Sequence, residues 1–398
     1  MHEFNKTIVD EISQDNGYIV ETRRYLHKYP ELTAKEFKTS EFLKSEIKKL
    51  GLEIHEVKGT GFYAILDTGK EGKTLGIRSD IDALPINENA CNLKQQKVSV
   101  SENEGVMHAC GHDGHMAILL EAAKFLTKHK DELKGKVIFI FEEGEEAGTG
   151  IAAMLESLRS IKIDAIYGTH VTSFMDTGTV NLGAGPVMAG AAGVSFVVNG
   201  RGGHGSRPDL SISPIFAAAN IITGLASAWV NQIDVTKTVT LGLGAINGGK
   251  QGNVIPDSVA IEGSLRFYDM AEGEKAVEIL KKVATNIAAA SNCTVDFSDK
   301  TKIAVGPVIN DSELSEIAVN GVRELGNIEV KEDVQWFASE SFSRYRELAP
   351  TLFAFVGIRN KELGSGAEHH NEYFDLDEDG LKYGAMSTVK FAHDFLNK

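Results

Sequence analysis

The sequence predicts an α/β protein: a mostly parallel, partly mixed sheet covered by helices, with a smaller ferredoxin-like βαββαβ unit inserted into it. Three observations predict this. Short continuous apolar runs alternate with helical patterns in the first half, as strands buried on both faces require. From about Gly193 the pattern changes to alternating strands around two long helical stretches. After about residue 303 the first pattern returns, which implies one discontinuous domain over residues 1–187 and 303–398 and an inserted one over 188–302.

Taken in order, "IVDEISQDNGYIVETRRYLHKYP" is helical and stops at Pro30, and "TAKEFKTSEFLKSEIKKLG" places Phe37, Leu43 and Ile47 at helical spacing before Gly51. "FYAILDTG", "KTLGIRSDID", "GKVIFIFEE" and "KIDAIYGTH" read as strands, separated by the helical "HMAILLEAAKFLTKH" and "GIAAMLESLRS". The inserted unit follows as "GVSFVVNG", "SPIFAAANIITGLASAWV", "KTVTLGLGAI", "DSVAIEGSLRF", "AEGEKAVEILKKVATNIAAAS" and "CTVDFS", in the order βαββαβ. "TLFAFVG" is a last buried strand and "EDGLKYGAMSTVKFAHDFL" a closing helix.

The 398 residues, 42% hydrophobic and 24% charged, suffice for two domains with cores of their own. A net charge of −15 provides no positive field for nucleic acid or an anionic membrane, so neither is expected as a partner. No apolar run approaches the ~20 residues of a membrane span, and the first residues lack the basic and apolar regions of a signal peptide. Cys91, Cys110 and Cys293 are too few and too scattered for a disulfide framework. Together these features suggest a cytoplasmic protein.

Chemistry concentrates in "GVMHACGHDGHMAILL", where His108, Cys110, His112 and His115 fall within eight residues. Thiolate and imidazole share the ability to bind a borderline-soft dication such as Zn²⁺. Taken by itself the cluster fits a helix start with a buried cysteine as well as a metal site. Other candidate ligands recur at strand ends: Asp80 and Asp82 after "TLGIRS", Glu145 and Glu146 after "VIFIF", and His170 after "IDAIYGT". Open α/β sheets gather ligands outside those carboxyl ends. The late pair His369 and His370 adds imidazoles in a polar loop. In an extended segment the adjacent Glu145 and Glu146 would point apart, one toward metal and one toward substrate, as metal-assisted hydrolysis needs. A thiol hydrolase built on Cys110 leaves the glutamates and His170 without a role. A non-catalytic metal- or peptide-binding protein would make Glu145 dispensable. The glycines of "GLGAINGGKQGN" precede a strand and not the helix that a phosphate cradle needs.

"RSDIDALPI", "GVMHACGHDGHMA", "DAIYGTHV", "GRGGHGSRP", "GNVIPD", "GSLRF" and the "HH" before "YFDLDE" occur in the order of a known family. The chain resembles the hippurate, aminobenzoyl-glutamate and indole-acetyl-amino-acid amidohydrolases, a branch of the aminoacylase and carboxypeptidase group of two-metal peptidases. That resemblance covers nearly the whole chain. It implies two divalent metal ions, Zn²⁺ or Mn²⁺, held by Cys110, His112, Glu146, His170 and His370, with His369 as the alternative to His370. It further implies Glu145 as general base, and an inserted lid domain that also serves in dimerisation. On that lid His204 would reach a neighbouring subunit's site to stabilise the oxyanion, and Asn253 and Arg266 would lie near the substrate. The implied substrate is a small amide or peptide bearing a free carboxylate, and the implied assembly a homodimer or a higher homo-oligomer. Where the branch has Gln, Pro and Ala, this chain has Glu142, Glu143 and Gly144, and the added negative charge is expected to act on metal affinity or substrate choice. Ser341 replaces an Asp, and Asp209 stands where His is common.

Overall fold

The computed structural model describes residues 3–398. Among them the chain divides into two compact units, one made of the chain up to Gly185 with Ile309–Val334 and Arg344–Lys398, the other of Pro186–Val308 with Gln335–Ser343. Residues 335–343 therefore group with the second unit, where the sequence had suggested a single return to the first.

The first unit is a mixed α/β layer. Its eight-stranded sheet has a parallel centre of Lys136–Glu142, Thr74–Asp80, Ala165–Asp176 and Thr351–Arg359, extended at both sides by strands that include antiparallel pairs. The central strands are buried along nearly their whole length, which is why they read as continuous apolar runs. Helices His112–Lys128, Ser312–Leu325 and Leu381–Asn397 contribute to the hydrophobic core.

Two local expectations change. The first helical stretch is two helices, Glu3–Gln14 and Asn16–Lys28, broken at Asp15 just before Gly17; glycine is a poor helix interior. In helix Phe37–Lys49, Leu43 and Ile47 are buried while Phe37 is exposed, because at the first turn its side chain lies beyond the face that packs.

The second unit has an antiparallel sheet in the order Val239–Asn247, Ser258–Phe267, Gly190–Asn199, Thr294–Phe297, with helices Pro214–Gln232 and Met270–Ala290. A separate two-stranded ribbon, Gly203–His204 with Val254–Ile255, carries His204 opposite Val254. Pro214–Gln232 corrects the expectation about apolar runs: its 19 residues and mean hydropathy of 1.2 suffice by length and composition to cross a membrane. It buries Ala217, Ile221 and Leu225 in this unit's own core, and about a third of the apolar stretch is buried.

One buried group makes stability pH-dependent. Glu121, on helix His112–Lys128, is 1% exposed and its Oε2 has no hydrogen-bond partner. Burial, against the opposing charge of Lys124, pushes its carboxyl up to about 8 from 4.5. The folded state then holds a proton that the unfolded chain releases, so stability is full below about pH 4.5 and is lost as the pH rises through 8. Glu121→Gln is expected to raise the unfolding free energy by about 1–3 kcal/mol at pH 8 and to leave it nearly unchanged at pH 4. Urea titrations at the two pH values measure the difference.

Candidate metal centre

The site is built on three neighbouring parallel strands. Asp80 and Glu142 lie side by side in register at the ends of their strands. His170 lies inside its strand, which continues to Asp176 and pairs with Thr351–Arg359 on one side. On the other side the pairing with Thr74–Asp80 stops at Gly168, and this opens the strand at His170.

The segment that precedes helix His112–Lys128 turns at Gly111, with φ of +87°, and a Cβ there would lie 2.4 Å from Val171. Glycine is thus the residue that lets Cys110 and His112 approach the His170 strand. Glu145 and Glu146 are not extended. They occupy one 3-10 turn, Glu145–Ala147, bounded by Gly144 and Gly148 in left-handed conformations. Both glutamate N–H groups donate to the Asp82 carboxylate at 3.2 Å. The two side chains therefore diverge by about a third of a turn instead of facing opposite ways.

Donor atoms of Cys110, His112 and His170 converge within 4.8 Å of one another, as do those of Cys110, Glu146 and His370, and those of His112, Glu145 and Glu146. Cys110 Sγ lies 3.6 Å from His170 Nε2, and Glu146 Oε1 lies 3.2 Å from His370 Nε2 and 3.8 Å from His112 Nε2.

Hydrogen bonds fix which imidazole nitrogen faces the cluster. His112 Nδ1 donates to the Asp82 carbonyl at 2.9 Å, and His170 Nδ1 donates to the Val171 carbonyl at 2.7 Å. In its neutral form each ring then carries its proton on Nδ1 and its lone pair on Nε2, the arrangement common to histidines that bind metals. His115 differs: its Nδ1 faces Asp80 at 2.7 Å while its Nε2 accepts the Val171 N–H at 2.9 Å. Both of its nitrogens are engaged. His369 is half-buried and accepts the Ser173 N–H on Nε2, whereas the exposed His370 faces Glu146.

The electrostatics suit a dication. Burial pushes the Cys110 thiol well above its ordinary range, and Glu146 adds to the effect. Burial also holds His170 well below its ordinary value, helped by His115. Cys110 and His170 are thus both held neutral, whereas Asp80 and Asp82 push His112, which bonds the same thiol, well above its ordinary value against the effect of burial. A dication among these donors would ionise Cys110. His112 Nε2 and Glu146 Oε1 are buried and lack hydrogen-bond partners, so the donor set fits a bound metal.

The added carboxylates point elsewhere. Glu142 accepts from Arg78 Nε at 2.8 Å and from the Tyr345 hydroxyl at 2.8 Å, and Glu143 accepts from the Thr60 hydroxyl and N–H. Arg78 also bonds Asp80 at 2.8 Å. Glu142 is thus paired with a buried guanidinium that it shares with Asp80. Neither Arg78 nor Tyr345 was singled out in the sequence, where nothing ties Tyr345 to a strand more than two hundred residues earlier.

The remaining candidates lie on the second unit. The exposed His204 accepts the Ser206 N–H on Nδ1 at 3.1 Å, and the Asn253 carbonyl accepts the Gly205 N–H at 2.8 Å. Half-buried Arg266 donates to the Leu265 carbonyl at 3.1 Å. Asp209 forms an exposed pair with Arg207, and the Ser341 hydroxyl donates to Glu340 at 3.3 Å.

The sequence pattern of peptidase family M20/M25/M40 matches residues 76–394. Thermostable carboxypeptidase 1 of Saccharolobus solfataricus is 32% identical, with 98% of each chain covered. IAA-amino acid hydrolase ILR1-like 4 of Arabidopsis thaliana is 34% identical, covering 95% of this chain and 86% of the hydrolase. A solved structure from Bacillus subtilis, described as a dinuclear metal-binding peptidase of the M20 family, matches with a TM-score of 0.83 at 29% identity, covering 97% of this chain and 99% of that one. Fold, donor cluster and relatives together define a metal-dependent amidohydrolase. The chain belongs to the M20/M25/M40 peptidase family.

Proposed function

We propose that this enzyme hydrolyses the amide bond of N-acyl amino acids or dipeptides bearing a free carboxylate, with Cys110, His112, His170, Glu146 and His370 holding two divalent ions, Zn²⁺ or Mn²⁺. The observation that carries the reading is the convergence of these donors around buried, unpartnered His112 Nε2 and Glu146 Oε1. When bound, the ions supply Lewis acidity and bring the pKa of water toward 7. Glu145, in the same turn as Glu146 and within reach of His112, takes the proton from water and passes it to the leaving nitrogen. His370 is preferred over His369 because it faces Glu146.

On the second unit His204 keeps the oxyanion role that the family resemblance implies. Its Nδ1 accepts a hydrogen bond, so its Nε2 carries the proton and can donate. Asn253 lies beside the same ribbon, and Arg266 offers the fork that pairs with a carboxylate. A carboxypeptidase and an amino-acid conjugate hydrolase among the relatives support a substrate with a free carboxylate. The second unit is read as a lid that also dimerises. Its helix Pro214–Gln232 leaves Phe216 and Val230 exposed, and Val239–Asn247 is an edge strand; apolar surface and an unpaired edge favour a second copy. Unpaired cysteines suit the reducing cytoplasm.

The test is chelation followed by metal restoration, with elemental analysis of His112→Ala and Glu146→Gln. Activity on N-acyl amino acids is expected to vanish on chelation and to return with Zn²⁺ or Mn²⁺, and both variants are expected to lose metal. Full metal occupancy in both variants, or full activity after chelation, would overturn the assignment.

A further inference from the structure

The two segments that bring His112 and His370 to the cluster are linked by a chain of buried polar groups that takes no part in the proposed reaction. Asp113, next to His112, accepts from His27 Nδ1 at 2.8 Å. His27 Nε2 meets Glu88 Oε1 at 2.9 Å, and the same oxygen meets Lys97 Nζ at 3.0 Å. Lys97 Nζ then donates to the carbonyl of Glu372, two residues beyond His370, at 3.0 Å. The side chains of Asp113, His27, Glu88 and Lys97 are each at most 3% exposed. Burying so many ionisable groups is costly unless each is paired, and here the pairing is continuous from one ligand segment to the other.

The loop that carries His370 has bonds of its own, but its middle is also held from outside. Between strand Thr351–Arg359 and the short turn Glu378–Gly380 the chain forms no helix or strand, and His370 has φ of +60°. His370 N–H donates to the Ala109 carbonyl at 2.9 Å, which anchors the loop on the near side. Farther along, the Glu372 carbonyl takes Lys97 and the Asn89 N–H, and the Asp375 carboxylate takes Asn92. These partners all come from residues 85–104, an irregular segment that is itself tied down by Glu88, whose other oxygen accepts the Ser101 N–H at 2.6 Å.

We infer that Lys97, with Glu88, is a positioning residue that holds the His370 loop against the helix carrying His112, and so sets the affinity of the metal position formed by Cys110, Glu146 and His370. The inference rests on the metal reading above. A partner that orients a metal-bearing segment typically changes affinity by 10–100-fold, and Lys97 contacts the His370 side of the cluster directly but the His112 side only through two further groups. Its loss should therefore be felt unequally by the two positions.

The test is a titration of the chelated full-length protein with Co²⁺ in competition with a chelator, in the wild type, Lys97→Met and Glu88→Gln. Circular dichroism establishes that each is folded. In Lys97→Met one dissociation constant is expected to rise 10–100-fold and the other to change by less than about threefold. Glu88→Gln keeps the side-chain volume and reads out the same link should Lys97→Met fail to fold. Two unchanged constants, or two raised equally as general loosening would produce, overturn the inference. A wild type that binds no Co²⁺ overturns the metal reading itself, an outcome distinct from either variant result.

Discussion

Glu145→Gln is expected to keep both metal ions and to lose about 10²–10⁴ in kcat, the usual contribution of a general base. The amide has nearly the shape of the carboxylate but cannot accept the proton from water at neutral pH. The backbone of the turn should be little disturbed, because the Glu145 and Glu146 N–H groups are both held by Asp82. Glu146→Gln is expected to behave oppositely, with metal released, since Glu146 Oε1 lies among the donors of His112 and His370. Elemental analysis beside steady-state kinetics separates the two. Loss of metal from Glu145→Gln with retention in Glu146→Gln would exchange their roles.

Arg23→Met is expected to destabilise the fold by about 3–5 kcal/mol, the cost of removing one partner of a buried ion pair. Arg23 Nε donates to Asp113 at 2.7 Å with both side chains fully buried, and Arg23 also approaches Glu378 at 3.3 Å. Burial alone would raise the Asp113 carboxyl, but Arg23 and His27 outweigh it and hold it far below its ordinary value. The contribution is thus present at neutral pH and is lost as the pH falls below the carboxylate range. Urea unfolding of the metal-free protein measures it. Arg23→Met combined with Asp113→Asn should recover part of the loss, because the second change removes the stranded charge. A loss below about 1 kcal/mol in the single variant would mean that solvent or another cation replaces the guanidinium.

Much of this was legible before any coordinates. Buried parallel strands have to be apolar on both faces, so "VIFIF" and "TLFAFVG" announced themselves, and sheets of this kind collect functional groups at the carboxyl ends of their strands. The dense spacing of Cys110 and His112, and the paired glutamates after a core strand, therefore marked the candidate centre. The geometry of the Glu145 and Glu146 turn was not legible, because it depends on Asp82 collecting two N–H groups from a segment more than sixty residues away. The partner of Glu142 was hidden for the same reason: Arg78 lies on the adjacent strand, and adjacency across a sheet leaves no periodic trace.

The sequence by itself determined the order of elements, the family, and which residue types could bind a metal, since periodicity and local spacing are properties of neighbours along the chain. Only the tertiary structure decided which member of each set faces the cluster. His370 rather than His369 turns toward Glu146, His112 and His170 present Nε2, and His115 lies between Asp80 and the Val171 N–H. Those choices are made by single hydrogen bonds to backbone groups brought close by the packing of distant strands, and no local pattern encodes them.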